Sequence, residues 1–259
     1  MRQIRFELEN EFKTGIISED GKLIYPVEHS APTAHHSMSE NTVGIEIERV
    51  KLLTPTNPSK IVCVGRNYAE HAAELGNEIP QNPLLFLKAP SSVILESEFI
   101  EIPPQSNQIE HEGELGIVIG QNCKNLTDDD KTFDFILGFI CLNDVTARDI
   151  QKADIQFTRA KSFDTFCSIS KFITTGIDVS DLRIMTKVNG VLKQEGRTSQ
   201  MVFPVGFLVK YISNQMTLNF GDIIATGTPS GVSVLKEGDV CEIEIESVGK
   251  ISNPVRKAL

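Results

Sequence analysis

The sequence predicts a β-rich α+β fold, and three observations lead to this prediction. Of the 259 residues, 40% are hydrophobic and 23% are charged, which is the composition of an ordinary globular domain. Short apolar or alternating runs typical of strands recur along the chain, whereas only three segments have a helical pattern. The runs form neither a repeat nor a βαβ series, so we expect strands joined by long connections.

Residues 1–54 are predicted to form a small N-terminal β domain. Apolar and polar residues alternate along its first strand, and Asp20-Gly21 is a hairpin-turn dipeptide between two apolar runs. The polar stretch 29–41 is interpreted as a loop, in which the adjacent His35-His36 pair is solvated rather than bound to metal. Two prolines mark residues 54–59 as a linker to a larger domain over 60–259.

The larger domain is predicted to begin with a strand at 60–65 and a short helix at 67–76. Asn67 is expected to cap this helix and Gly76 to end it in a left-handed conformation. Further strands are predicted at 83–90, 113–120, 138–144, 183–188, 191–196 and 238–249, the fourth and fifth of these joined by an Asn189-Gly190 hairpin turn. Further helices are predicted at 127–139, with Thr127 as N-cap, and at about 205–213.

The charge and cysteine pattern excludes several classes of protein. A net charge of −10 disfavours nucleic-acid binding, which relies on basic surfaces. The 5 cysteines never form a C-x-x-C pair, so we expect buried thiols in a reducing compartment rather than disulfides or zinc. The N-terminus lacks the apolar core of a signal peptide and no apolar run reaches membrane-spanning length, which favours a cytoplasmic protein with no membrane contact.

Closely spaced acids in the segment 109–120 give the first indication of chemistry. Glu110, Glu112 and Glu114 alternate, so on a strand they point to one face. Asp144 ends a separate hydrophobic run. Like charges this close repel one another unless a cation lies between them, and an all-oxygen set favours Mg²⁺ or Mn²⁺. The alternative is a solvated strand edge, which would suffice for Glu110 alone; spacing by itself leaves both open.

Seven stretches of the sequence resemble the fumarylacetoacetate hydrolase superfamily, most closely its bacterial acylpyruvate-hydrolase-like members. They occur in family order and span the larger domain, and they are VCVGRNYAEHAAELGN (62–77), PLLFLKAPSSVI (83–94), HEGELGIVIG (111–120), GFICLNDVTARDIQ (138–151), FTRAKSFDTFC (157–167), VNGVLKQEGRTSQMVF (188–203) and GDIIATGTPSGV (221–232). The resemblance implies a mixed β-sandwich roll, usually dimeric. The sequence departs from the family pattern at Phe157, where tryptophan is common, and at 168–170, where Pro-Leu-Gly is frequent.

The resemblance also implies a set of site residues. Glu112, Glu114 and Asp144 would hold the divalent metal, with Glu110 outside the motif. The catalytic residues would be His71, Glu74 and Lys161, and the substrate-binding residues Arg66, Gln151 and Thr226. The TGTPSG turn that contains Thr226 lacks the pattern of a phosphate-binding loop, so we expect no nucleotide site.

These residues suggest a reaction on a small 2-oxo acid. Lys161 would offset the excess negative charge of the acids and hold a substrate carboxylate. His71, oriented by Glu74 on a helix that closes over the substrate, would activate water. The main prediction is a Mg²⁺- or Mn²⁺-dependent hydrolase that cleaves a C–C bond in an acylpyruvate. The alternative is decarboxylation of an oxaloacetate-like acid, or isomerisation of a 2-hydroxyhepta-2,4-diene-1,7-dioate-like acid. A third possibility is a catalytically silent, metal-stabilised scaffold.

Overall fold

Strands dominate the architecture, as the sequence predicts. The computed structural model describes residues 1–27 and 43–258, so the predicted loop at 29–41 with His35 and His36 lies outside the described residues. The strands are β1 Arg2–Leu8, β2 Glu11–Ile17, β3 Leu23–Val27, β4 Ile45–Glu46, β5 Lys51–Leu53, β6 Ile61–Gly65, β7 Leu84–Lys88, β8 Val93–Leu95, β9 Ile100–Ile102, β10 Ile109–Glu110, β11 Gly113–Ile119, β12 Ile136–Asp144, β13 Thr146–Ala147, β14 Cys167–Ile169, β15 Phe172–Thr174, β16 Arg183–Val188, β17 Val191–Arg197, β18 Ile223–Ala225, β19 Val240–Ile245 and β20 Gly249–Lys257.

Helices are short and few. They are α1 Ala69–Glu74, α2 Arg148–Ala153, α3 Thr158–Lys161 and α4 Val205–Ser213, with 3₁₀ turns at Ile47–Arg49, Pro90–Ser92, Thr132–Phe135 and Thr198–Gln200. Within the described part of the chain, no helix is long and apolar enough to cross a membrane.

Two large sheets pack face to face to form the main core. The first has 13 strands with the central order β4-β3-β2-β1-β15-β12-β11-β18-β6-β7, and the second has five in the order β17-β16-β19-β20-β9. Side chains of β11, such as Leu115 and Ile117, meet Ile184 and Ile243 of the second sheet. Val118, from the opposite face of β11, enters another apolar cluster. The strands that carry the acidic residues are therefore buried on both faces, which fixes their register.

The N-terminal strands belong to the same 13-stranded sheet as the larger domain. Arg2 of β1 pairs with Thr174 of β15 in an antiparallel ladder. The predicted linker packs against the larger domain, since the Thr56 hydroxyl donates to the Gly221 carbonyl at 2.6 Å. The division into two domains at residues 54–60 stays a prediction. The homodimer that the family resemblance implies also stays a prediction.

Most predicted elements are present, but two details are wrong. The segment 127–139 is not a helix: Thr127 pairs with Asp130 in a turn, and strand β12 begins at Ile136. Burial of β12 between neighbouring strands outweighs its helical pattern. Asn67 does not cap α1; its side-chain amide donates to the carbonyls of Phe203 and Thr226 and accepts from the Phe203 amide.

Backbone conformation confirms two of the predicted turns. Asn189 and Gly190 both have positive φ, 51° and 77°, as a tight turn between β16 and β17 requires. Gly76 has φ +69° just after α1, in the left-handed conformation predicted for the helix end. All 5 cysteines are free and buried.

Candidate active site

The acidic cluster lies where β11 and β12 meet. These strands are antiparallel, with Gly113 opposite Asn143, and the Asp144 amide donates to the Glu112 carbonyl at 2.9 Å. This pairing brings the end of β12 beside the start of β11. Glu112, Glu114 and Asp144 are all buried, and each offers a carboxylate oxygen within 4.8 Å of the others. The predicted ligand set is therefore assembled in one place.

Two buried lysines balance the cluster. The Lys161 ammonium, on α3, donates to Glu112 Oε2 and Asp144 Oδ2, both at 2.7 Å. The Lys88 ammonium, at the end of β7, donates to Asp144 Oδ1 at 2.7 Å and to the Val145 carbonyl. Both lysines are about 1% exposed, so they meet carboxylates in a medium that screens little.

Arg148, at the start of α2, connects the remaining acids. Its guanidinium donates to Glu110 Oε2 at 2.7 Å, to Glu112 Oε1 at 2.5 Å and to Gln151 Oε1. Glu110, left outside the predicted motif, therefore belongs to the same ion-pair network. Gln151, predicted to bind substrate, lies beside the cluster and accepts from Arg148.

The two glutamates of the cluster differ in electrostatic environment. Burial alone would raise the pKa of Glu112, but the charges of Lys161 and Arg148 outweigh burial and hold that pKa below its ordinary value. Burial, together with the negative charges of Asp144 and Glu112, raises the pKa of Glu114 well above its ordinary value. Burial opposes the charge of Lys161, yet Asp144 and Glu112 raise its pKa. Glu114 is thus the carboxylate that gains most from an added cation.

The donor set suits a hard divalent cation. Its three side chains supply only oxygen atoms, the ligand type that Mg²⁺ and Mn²⁺ prefer over zinc-type nitrogen and sulfur sets. Glu114 Oε2 accepts one backbone hydrogen bond, from Gly227 at 2.7 Å, and no cationic side chain of the described residues pairs with it. A cation would supply the missing charge, so the residues fit the group that the fold implies.

The predicted catalytic pair sits on α1. His71 Nδ1 lies 3.2 Å from Glu74 Oε2, and His71 is 5% exposed. The Gly231 amide donates to both carboxylate oxygens of Glu74, at 3.0 and 3.2 Å. A carboxylate on Nδ1 favours the tautomer with its proton there, which leaves Nε2 as the basic nitrogen.

A cavity of about 70 Å³ joins α1 to the acidic cluster. Its lining includes the three carboxylates and His71, with Arg66, Gln151 and Lys161 also on its walls. Thr226 is fully buried and its hydroxyl donates to the Leu115 carbonyl at 2.9 Å; Thr228, not Thr226, lines the cavity. A substrate contact for Thr226 therefore stays a prediction.

Comparison with known proteins decides the family. The model of the fumarylacetoacetate (FAA) hydrolase C-terminal family matches residues 60–256. The chain belongs to this family. It is 40% identical over 241 residues to a mitochondrial oxaloacetate tautomerase of Xenopus laevis, covering 88% of this chain and 75% of the relative. It is 48% identical over 193 residues to a mitochondrial oxaloacetate decarboxylase of Dictyostelium discoideum, covering 72% and 88%.

A solved structure supports the same assignment over the full length. The 5-carboxymethyl-2-hydroxymuconate delta-isomerase of Mycobacterium smegmatis has a TM-score of 0.89 and 37% identity, and the match covers 100% of both chains. The predicted fumarylacetoacetate hydrolase fold is confirmed. The names of these family members agree better with the alternative function, decarboxylase or isomerase, than with the main prediction of a hydrolase.

Sequence analysis missed two residues of this family member's site, Lys88 and Arg148. Both occur within quoted stretches. Lys88 ends an apolar run, where a charged side chain is costly unless it is paired, and that position was an available signal. Arg148 follows Thr146-Ala147 and had no such signal. Of the two departures from the family pattern, Phe157 lines the cavity and its ring meets Phe86 edge-on at 5.5 Å, whereas residues 168–170 do not line it.

Proposed function

We propose that this protein catalyses the keto–enol tautomerisation of oxaloacetate or a similar small 2-oxo dicarboxylic acid, with Mg²⁺ or Mn²⁺ as cofactor. The observation that carries the proposal is the charge of the cavity. Relatives named oxaloacetate tautomerase and oxaloacetate decarboxylase support the same class of substrate.

The charged side chains that line the cavity balance one another before any metal is counted. They are three carboxylates and three bases: Glu112, Glu114, Asp144, Arg66, Arg148 and Lys161. The two charged neighbours behind them, Glu110 and Lys88, also cancel. The Glu74 carboxylate is 33% exposed and paired with His71, so water and the imidazole offset its charge. A divalent cation therefore brings a net charge of about +2 into a buried space, where an unbalanced charge is costly. A dicarboxylate would neutralise this net charge, whereas an acylpyruvate monoanion would leave about half of the positive charge unbalanced.

Arg66 is suited to the second carboxylate of such a substrate. It lies on the cavity wall between β6 and α1 and makes no ion pair or side-chain hydrogen bond with any described residue. Its φ of +58° is unusual for a side chain of this size, and such backbone strain concentrates at functional sites. The guanidinium matches a carboxylate bidentately.

The cluster would bind the other end of the substrate. Glu112, Glu114 and Asp144 would hold the cation, which when bound acts as a Lewis acid toward the 2-oxo group. Lys161 uses two N–H groups on Glu112 and Asp144, and its third has no acceptor among the described residues. That third donor is available for the substrate's first carboxylate or for the charge on its C2 oxygen.

His71 is the proposed proton carrier. Nε2 takes a proton from C3 of the keto form, the C3–H electron pair becomes the C2=C3 bond, and the negative charge moves to the C2 oxygen. The imidazolium then returns the proton to that oxygen, which yields the enol with no net change in protons. Glu74 stabilises the intermediate imidazolium through Nδ1.

Arg66 also argues for tautomerisation over decarboxylation. Loss of CO₂ requires the C4 carboxylate to give up its charge, and a guanidinium paired to it would stabilise the charged ground state. Acylpyruvate hydrolysis remains a second candidate because the His71–Glu74 pair could also activate a water molecule.

The proposal is tested by supplying enol oxaloacetate and, in a separate assay, acetylpyruvate, each with Mn²⁺ and with EDTA. We expect rapid, metal-dependent decay of enol absorbance, slower CO₂ release, and slower cleavage of acetylpyruvate. Arg66→Gln should raise KM for oxaloacetate about 10-fold or more, since hydrogen bonds between charged groups contribute about 1.5–3 kcal/mol. The control is Arg159→Gln, an exposed arginine paired with Asp154. Faster cleavage of acetylpyruvate than enol decay would reject the proposal in favour of hydrolysis.

A further inference from the structure

Gln194, on β17, is a fully buried polar residue on a strand whose neighbouring residues are exposed. Lys193 and Glu195 on either side face solvent, whereas Gln194 is 0% exposed. Its side chain uses its full hydrogen-bonding capacity, with two bonds accepted by Oε1 and two donated by Nε2. Such complete satisfaction rigidifies the groups that it joins.

On one side, Gln194 fixes the segment that carries a metal ligand. Oε1 accepts from the Gly113 amide at 3.0 Å and lies 3.0 Å from His111 Nδ1. Because Oε1 can only accept, His111 carries its proton on Nδ1, and its Nε2 accepts from the Ser233 hydroxyl at 2.8 Å. These contacts flank Glu112 on both sides along the chain.

On the other side, Gln194 holds the turn at 226–231. Nε2 donates to the Thr228 hydroxyl at 2.8 Å and to the Pro229 carbonyl at 2.7 Å. The turn packs directly on β17: a Cβ at Gly231, which has φ +99°, would lie 2.0 Å from the Lys193 carbonyl oxygen. Glycine at this position permits the close approach.

The same turn touches both halves of the active site. The Gly227 amide donates to Glu114 Oε2 at 2.7 Å, and the Gly231 amide donates to Glu74. Gln194 binds two of the three residues between these glycines, Thr228 and Pro229. The carboxylate that orients His71 is thereby tied, through one turn and one side chain, to the strand that carries Glu112.

We propose that Gln194 is a positioning residue. Through the 226–231 turn, it sets the position of the His71–Glu74 pair relative to the predicted metal ligands. Gln194 does not line the cavity. The inference rests on the proposed function, because it assigns Gln194 a part in the same reaction.

Gln194→Glu separates the two sides of this arrangement. The carboxylate still accepts from Gly113 and His111, but it cannot donate to Thr228 or to the Pro229 carbonyl. At saturating Mn²⁺ and with oxaloacetate as substrate, we expect kcat to fall about 10- to 100-fold, the loss typical of residues that orient a metal site without binding the metal. KM and Mn²⁺ affinity should change less than about 3-fold, because the Glu112 side is kept. Glu195→Gln, on the same strand but exposed, is the matched control.

A double-mutant cycle with Glu74→Gln distinguishes positioning from general destabilisation. If Gln194 acts through Glu74, adding Gln194→Glu to Glu74→Gln should cost less than about 3-fold in kcat, since coupled residues are not additive. Fully multiplicative losses would overturn the inference. Should Gln194→Glu not fold, Thr228→Val removes the contact between Gln194 Nε2 and the turn, together with the bond that the Thr228 hydroxyl donates to the Gly113 carbonyl. The part of its kcat loss that acts through Glu74 should likewise vanish when it is combined with Glu74→Gln.

Hydrogen exchange gives a readout that does not depend on turnover. Peptides that cover α1 and the two residues after it, 69–76, should exchange faster in Gln194→Glu than in the wild type. Exchange in peptides from β1 and β2 should be unchanged. Unchanged exchange in α1 would overturn the inference. If the wild type does not act on oxaloacetate, the proposed function fails, but this measurement still decides the role of Gln194.

Discussion

Replacing Lys161 by methionine tests whether the buried charges are arranged to hold a divalent cation. Lys161 bridges Glu112 and Asp144, but each carboxylate keeps one other partner, Arg148 and Lys88 respectively. Removing one partner of a buried pair costs about 3–5 kcal/mol. Because both carboxylates keep a base, we expect the lower end, about 3 kcal/mol, in the metal-free protein.

That loss should be visible in thermal unfolding and should depend on metal. At about 2–4 °C per kcal/mol for a chain of this size, Lys161→Met should lower Tm in EDTA by about 6–12 °C. Mn²⁺ should recover most of the loss, because the cation replaces the charge of Lys161 between the two carboxylates. Oxalate should bind the Mn²⁺-loaded variant much more weakly than the wild type, since the third ammonium donor is gone.

The control is Lys171→Met, which removes a half-buried lysine paired with Glu96 at 2.9 Å. Pairs this close to solvent contribute about 1 kcal/mol or less, and Mn²⁺ should not alter the effect. Circular dichroism melts in EDTA and in Mn²⁺ measure both variants. If Lys161→Met melts like the wild type in EDTA, or if Mn²⁺ leaves its lower Tm unchanged, then Lys161 and the cation do not balance the same carboxylates.

Three further predictions address other parts of the structure. Asp144→Asn should lower Mn²⁺ affinity at least about 10-fold in calorimetry while the far-ultraviolet spectrum is kept; unchanged affinity would place the metal elsewhere. Burial alone would raise the pKa of Asp222, but Lys60 and several hydrogen bonds hold it below the ordinary value. The ionised Asp222 carboxylate therefore stabilises the folded state at neutral pH, and this stabilisation is lost as pH falls through the lowered pKa. Asp222→Asn should cost about 2 kcal/mol at pH 7 and flatten the acid limb of urea-measured stability, and a wild-type acid limb would contradict this. Gly231→Ala should destabilise by at least about 1 kcal/mol in the same assay, because its φ is positive and its Cβ would meet the Lys193 carbonyl; wild-type stability would show that the turn can move.

Local spacing raised a metal site as one of two interpretations of the acidic segment, and the family resemblance selected its ligands. The alternation of Glu112 and Glu114 and the strand-end position of Asp144 depend only on strand geometry, and the structure brings all three together. The bases that pair with them could not be predicted in this way. Lys88 lies 56 residues before Asp144, and Arg148 lies 36 residues after Glu112, so no local pattern links them.

The fold shows the same division between local and distant information. Hairpins such as β16–β17 follow from a turn dipeptide and were predicted. Strand β20 was not, because Pro254 argues against an inner strand, yet it lies between β19 and β9. Its parallel pairing with β9 joins Val255 to Ile100, a contact across most of the chain. The segment 127–139 likewise has a helical pattern that burial of β12 overrides.

Proton transfer by His71 at C3 of the substrate can be followed by proton NMR of oxaloacetate in deuterated buffer, comparing loss of the C3 hydrogens with and without enzyme. We expect Mn²⁺-dependent C3 exchange well above the uncatalysed rate. In His71→Ala the enzymatic part of this exchange should fall about 10²–10⁴-fold. Exchange that is no faster than the background, or equally fast in His71→Ala, would show that His71 does not carry this proton.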